Sequence, residues 1–170
     1  YKTFMWPASF WEKYEFFIRH SAGLGKSPTS SDPDIYDHRN IHCDVLVVGA
    51  GISGILAAKN AAKNNFKTLL VDEKNELGGS TIFENNEFNK IDNKTPSEWL
   101  KKEIEELKNI KNLEIKTRTS VAAYHQYNYL LARENLTDHL EAKDKTNKIR
   151  QRLLKIRAKK VILALSLIHI

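Results

Sequence analysis

Apolar and polar positions divide the first half of the chain into a compact pattern. Val45, Leu46, Val47 and Val48 form an unbroken apolar run, as expected of a parallel strand covered on both faces. From Ile52 the period lengthens, and Ile55, Leu56, Ala58, Ala61 and Ala62 alternate with Lys59, Asn60, Lys63 and Asn64. That spacing predicts a helix over 52–64 whose small-residue face suits close packing on a sheet. Thr68-Leu69-Leu70-Val71 repeats the buried-strand pattern and closes on Asp72 and Glu73. Further on, Thr95-Pro96-Ser97-Glu98 reads as a capping box with proline at the first helical position. It opens an amphipathic helix to about Lys108, with Trp99, Leu100, Ile104 and Leu107 on one side. Beyond it the period falls to two, and residues 113–117, 121–124, 127–131, 150–156 and 160–164 are expected strands.

Residues 1–40 follow neither pattern. They are aromatic at first, with Trp6, Phe10, Trp11, Tyr14, Phe16 and Phe17 in one short stretch, then loop-like through Gly23, Gly25, Pro28 and Pro33. Such aromatics need a partner surface, either the following domain or another subunit.

Between the first strand and the helix, Gly49, Gly51 and Gly54 give the spacing G-x-G-x-x-G. The spacing alone is weak, but a strand before it, a helix after it and a terminal acid complete the dinucleotide fingerprint in about thirty residues. In that frame Gly49 permits the tight turn, Gly51 lets the backbone approach a pyrophosphate, and Gly54 lets the helix lie close to the strand. The helix N-terminus directs unpaired N–H groups and partial positive charge at the phosphates. Asp72 or Glu73 is then placed to accept the ribose hydroxyls of an adenosine. A 2′-phosphate beside these acids costs roughly 1–4 kcal/mol per close pair, which is tenfold or more in affinity against NADP. Lys74 is expected to point to water. NAD and FAD remain, since both carry an unphosphorylated ribose. Leu77-Gly78-Gly79-Ser80 adds a second close backbone approach with a hydroxyl at Ser80. The expected fold is α/β, a Rossmann-like dinucleotide-binding domain of the FAD/NAD-linked reductase type. It joins a βαβ unit to a β-meander and is incomplete at its C-terminal end.

Composition narrows the classes. A chain of 170 residues has room for one domain with a real core. The single cysteine, Cys43, allows no internal disulfide and fits a reducing compartment, so a cytoplasmic location is expected. No apolar run approaches a membrane span. The net charge of +6 comes from lysines scattered among asparagines, without interleaved aromatics or an arginine-rich groove; neither nucleic acid nor membrane is an expected partner. His38 and His42 beside Cys43 lack the second cluster of a metal site. No Ser–His–Asp or paired-carboxylate arrangement stands out, so no catalytic residue and no metal ligand is assigned.

Three stretches carry a more specific resemblance: "MWPASFWEKYEFFIRHSAGLGK", "DPDIYDHRNIHCDVLVVGAGISG" and "VDEKNELGGS". From about Phe4 to Ala164 the chain resembles the α subunits of heterotetrameric sarcosine oxidases. The resemblance implies an oxidoreductase subunit acting on CH–NH donors, in a complex that demethylates sarcosine to glycine with oxygen and tetrahydrofolate. It implies β, γ and δ subunits as partners, with FAD and FMN held largely by β and NAD held by α. It further implies NAD contacts at Ser53, at Asp72, Glu73 and Lys74, at Ser80, and at Val121 across the sheet. Ile52 and Ser53 stand where the family commonly has proline and alanine. On this reading the piece holds a cofactor while the amine-oxidising chemistry lies elsewhere, and alone it is inactive.

One departure follows Ala164, where the family has a glycine turn and this chain reads Leu165-Ser166-Leu167-Ile168-His169-Ile170. The expected organisation is therefore 1–40 as aromatic extension and linker, 41–164 as a partial Rossmann-like domain, and 165–170 as a tail not native to it. Tyr1 at the start suggests an internal piece of a longer chain. Two other readings stay open: an FAD-binding fragment of glycine-oxidase, cyanide-synthase or opine-oxidase type, and a structural NAD platform that does not turn over.

Overall fold

Two long strands organise the sheet. The computed structural model describes residues 7–25, 29–83, 90–141 and 148–165, and the chain divides into two units, Tyr1–Pro33 and Asp34–Ile170. The expected tail beyond Leu165 and the leader residues up to Trp6 lie outside the described residues. In the first unit the aromatic stretch forms a helix, α1, Trp11–Ser21, none of whose residues is buried. No element was expected there, because aromatic residues recur all round the helix and leave no single apolar stripe.

The second unit contains β1 (Ile35–Val48), α2 (Ile52–Lys63), β2 (Thr68–Val71), α3 (Pro96–Lys108), β3 (Leu113–Lys116), β4 (Thr119–His125), β5 (Tyr129–Asn135) and β6 (Ile149–Leu163). One six-stranded sheet runs β3-β2-β1-β6-β5-β4. β3, β2, β1 and β6 pair in parallel, whereas β6–β5 and β5–β4 are antiparallel. The βαβ unit and meander are thus joined through β1 and β6, which pair along nearly their whole length.

That length corrects two expectations. β1 begins at Ile35 rather than Val45, so 35–40 belong to the sheet and not to a linker. Its first half does not read as a buried strand because only one face turns inward, and on that face the charged Asp37 and the exposed Arg39 precede Ile41 and Cys43. The expected strands 150–156 and 160–164 are a single strand, β6. Ala158, 5% exposed, extends the inward alternation of Leu154 and Ile156, and pairing with β1 continues through Lys160 and Val161 across the basic run that resembles a break. Likewise β5 starts at Tyr129, and Tyr127 lies in the preceding turn at φ 59°.

Alternate residues of β1 and β2 feed two cores. Val45, Val47 and Leu70 pack under α2 and α3 with Ile55, Ala58, Trp99, Leu100 and Leu107. On the other side Leu46, Val48, Leu69 and Val71 meet Leu130, Ala132, Leu154 and Ile156 of the meander. The Arg152 guanidinium joins Asp37 (2.8 Å) and Glu134 (3.1 Å), and Lys116 reaches Glu134 at 2.9 Å. These pairs tie β3 to the meander and satisfy charges that burial would otherwise penalise.

The capping box of α3 forms as expected, with Glu98 N–H donating to Thr95 Oγ1 (3.3 Å) and Thr95 N–H to Glu98 Oε2 (3.1 Å). Lys59, expected on the solvated face of α2, instead reaches Glu103 (2.5 Å) and Glu106 (2.7 Å) of α3. Its side chain is 14% exposed and that of Glu103 8%. Lys59→Ala strands the Glu103 carboxylate and is expected to cost about 3 kcal/mol, as removal of one partner of a buried pair does. The double change Lys59→Met with Glu103→Leu should recover most of that loss in urea unfolding.

Cys43 is buried at the start of the second core. Burial disfavours its thiolate and pushes the thiol up to about 11. A disulfide reagent at pH 8 is therefore expected to leave Cys43 untouched in the folded protein and to label it fully once urea unfolds the chain. Among the described residues no helix is long and apolar enough to cross a membrane, and no cluster of three or more His, Cys, Asp or Glu is placed to hold a metal.

Candidate functional site

The end of β1, the turn after it and the end of β2 converge on one cleft. Gly49 leaves the strand at φ +98°, where a Cβ would lie 2.5 Å from the Ala164 carbonyl oxygen. Its N–H donates to Val71 O (2.8 Å), and Ala164 N–H donates to Val48 O (2.8 Å), so the turn is held between two strand ends. Gly54, in the first turn of α2, sits directly beneath: a Cβ there would overlap the Gly49 carbonyl. The helix therefore reaches the strand more closely than any side chain would allow. Gly78 N–H donates to Ala50 O (2.7 Å), and Gly79 approaches so closely that a Cβ on it would stand 3.2 Å from Gly51 Cα. The two glycine loops are stacked backbone on backbone.

Gly51 is the N-cap of α2 and provides no side-chain cap. The first N–H groups of the helix, which no carbonyl within it can accept, are left for an anion. Above them opens a cleft of about 730 Å³, within the size range of small-molecule sites. Gly49, Gly51, Ser53, Asp72, Glu73, Lys74, Gly79, Ser80 and Val121 all line it. Gly54 does not; it shapes the floor from below.

Asp72 does more than the fingerprint suggests. Its Oδ2 accepts from Ala50 N–H (2.6 Å) and its Oδ1 from Lys74 N–H (2.8 Å). The carboxylate thus pins the glycine turn to the loop after β2. Each oxygen retains a lone pair for a further donor, so the bridge and a ribose diol are compatible. The next wall is built by backbone: Thr119 N–H donates to Asp72 O (2.7 Å) and Arg118 N–H to Lys74 O (2.8 Å). These bonds bring β4 beside β2 and place Val121 at the cleft. Ala50, Thr119, Ser120 and Leu163–Leu165 also line it and escaped the sequence reading, because backbone geometry and strand return carry no residue-type signal.

The residues present fit an adenine dinucleotide. The uncapped α2 N-terminus, the acidic residues Asp72 and Glu73 and the two glycine loops all line this one cleft, with the Asp72 carboxylate bonded to the turn that leads into the helix. No His or Cys lines it among the described residues, so the arrangement can hold and orient such a ligand but offers it no imidazole or thiol.

Fold and site define an α/β dinucleotide-binding protein of Rossmann type. The chain belongs to the FAD dependent oxidoreductase family, which it matches over residues 44–152. It is 38% identical to sarcosine oxidase subunit alpha of Rhizobium meliloti over 165 residues, 96% of this chain and 16% of that protein. Against sarcosine oxidase subunit alpha of Corynebacterium sp. (strain U-96) the identity is 38% over 143 residues, 84% of this chain and 15% of that one. The chain thus spans about a sixth of the length of these relatives. Among solved structures it resembles L-proline dehydrogenase from P. horikoshii, with TM-score 0.57 and 21% identity, covering 82% of this chain and 25% of that one. A geranylgeranyl bacteriochlorophyll reductase-like protein from Thermoplasma acidophilum gives 0.51 and 18%, over 74% and 40%. These structures share the fold.

Proposed function

We propose that this chain is the dinucleotide-holding part of the α subunit of a sarcosine oxidase, an oxidoreductase complex that demethylates sarcosine to glycine with oxygen and tetrahydrofolate. In it the cleft holds NAD, with β, γ and δ subunits completing the complex and its FAD and FMN bound elsewhere. The observation that carries this reading is a single cleft lined by the uncapped α2 N-terminus, by two stacked glycine loops and by Asp72 and Glu73. Pyrophosphate belongs at the helix end and the adenosine ribose at the acids. Similarity to sarcosine oxidase α subunits over most of the chain supports the assignment to that complex.

A second reading, FAD in the same cleft, is favoured by the family match. Both ligands share the adenosine diphosphate half that this site fits. Calorimetric titration of NAD, NADP and FAD onto the full-length subunit, freed of nucleotide, decides between them. Uptake of NAD with at least about tenfold preference over NADP is expected. Uptake of FAD without NAD establishes the second reading, and uptake of none refutes both.

A further inference from the structure

The strands that hold the cleft present another surface away from it. Over the first half of β1, with β6, β5 and β4, the outward face is covered by no described element of the same unit. Strand register builds a row across it: His42, Arg157, Tyr129 and His125 stand side by side on four adjacent strands. Lys155 and Arg133 occupy the same face in the next two rows of β6 and β5. Tyr129 and Lys155 are half-buried, and the other four are exposed.

Charge is segregated between the two sides of these strands. Inward, Asp37 and Glu134 are neutralised by Arg152. Outward, between the rows of Tyr36 and His42, Arg133, Lys155 and Arg157 stand with no Asp or Glu at any face position. The bordering carboxylates are engaged already, Asp44 with Lys159 (2.7 Å) and Asp138 with Arg150 (2.6 Å). The centre of the face is ordered in advance. The Arg157 guanidinium lies 5.1 Å from the Tyr129 ring centroid, and the His125 ring lies 6.0 Å from it on β4.

A strained turn stands at the edge of the same face. Tyr127 adopts φ 59° and ψ 33° between β4 and β5, with its residue 85% exposed. A bulky side chain in the left-handed region is a conformational outlier. Here it is held by Arg157 Nη1 donating to Tyr127 O (3.3 Å), Asn128 Nδ2 donating to Lys159 O (3.0 Å) and Tyr124 Oη donating to Asn128 Oδ1 (2.7 Å). Rigid Tyr and Arg side chains at the centre of a cationic rim are the composition of binding hot spots.

We propose that this face is a docking surface for an acidic patch on another polypeptide subunit, anchored at Arg157, Tyr129 and Tyr127. The proposal rests on reading the chain as part of a multi-subunit oxidoreductase. Charge complementarity selects the partner: three cations with no counter-ion among the described residues attract carboxylates and repel a copy of the same face. A nucleic-acid strand suits it less, because the cations form a cluster rather than a track along which a phosphate backbone runs. Pre-ordered side chains lower the entropy lost on docking.

The test uses the full-length chain co-expressed with the other subunits of its complex. The triple variant Arg133→Glu, Lys155→Glu, Arg157→Glu is expected to weaken assembly by about a hundredfold, as loss of several interfacial charge pairs does. Wild-type affinity should itself fall as salt rises. Tyr127→Gly relieves the strained turn while removing the ring. It should weaken assembly about tenfold with thermal stability unchanged or raised. Bound nucleotide is measured in every sample. Loss of partner with nucleotide retained supports the proposal. Unchanged assembly in both variants overturns it, as does loss of partner only where nucleotide is lost too. Self-association through this face, or equal affinity for a single-stranded oligonucleotide, also overturns it. Intact salt-sensitive docking by a wild-type chain that takes up no dinucleotide would instead refute the cleft assignment alone.

Discussion

Gly54→Ala is expected to collapse both stability and dinucleotide binding. The added methyl meets the Gly49 carbonyl, a backbone group held in the turn, and the neighbouring Ala164 Cβ at 3.3 Å. No rotamer relieves such an overlap, so α2 must move off β1. Overpacking of this kind lies at or above the upper end of the usual range, about 3 kcal/mol, equivalent to a fall in Tm of roughly ten degrees for a domain of this size. Displacing α2 also carries its N–H groups away from the cleft, and affinity should drop at least about tenfold. Gly51→Ala is the contrasting control. Nothing lies within 4 Å of its added Cβ and its φ of −69° suits any residue. It should lose at most about 1 kcal/mol of stability while losing affinity, because the methyl occupies the pyrophosphate's approach. Thermal melts of nucleotide-free protein beside calorimetric titrations separate the two. Equal effects in both variants would contradict this division of labour.

Asp72→Ala is expected to produce the second large effect, and through two routes. The bonds from Ala50 N–H and Lys74 N–H are lost. Hydrogen bonds to a charged acceptor contribute roughly 1.5–3 kcal/mol each when buried. With the site partly open to solvent, about 2–3 kcal/mol of stability in total is expected to go. NAD affinity should fall several-fold to a hundredfold, and discrimination against NADP should relax as one carboxylate disappears. Asp72→Asn is not a conservative change here. Both oxygens face N–H donors, so its amide NH₂ must confront one of them. Glu73→Ala, with no such bridge among the described residues, should change affinity less and stability hardly at all. Urea unfolding without nucleotide, then titration with NAD and NADP, reads each term. Unchanged NAD affinity in Asp72→Ala would remove the acid from the site.

Much of this arrangement was legible where local pattern and tertiary role coincide. The Val45–Val48 run, the glycine turn, the helix after it and the strand ending at Val71 are each written in adjacent residues. So is the Thr95 capping box. Legibility fails where a residue's role is set across the chain. The first half of β1 carries Asp37 inward because Arg152, more than a hundred residues on, neutralises it together with Glu134. Lys59 looks solvated until Glu103 of α3 closes over it. Asp72 was legible as an acid in the right place, but not as the bridge between two loops. The cleft wall at Thr119 and Ser120 follows from backbone bonds to Asp72 and Lys74, which no side chain announces.

The parallel pairing of β1 with β6 also has a kinetic meaning. It joins residues such as Asp37 and Arg152, 115 positions apart, whereas β1 and β2 meet across one short helix. Closing the larger loop carries the greater entropy penalty, and contacts so distant in sequence slow folding. The glycine turn and its acid belong to the local βαβ unit, but the wall at Leu163–Leu165 arrives only with β6. Recovery of helical signal during refolding is therefore expected to run ahead of recovery of the cleft, which is complete only once β6 has paired with β1.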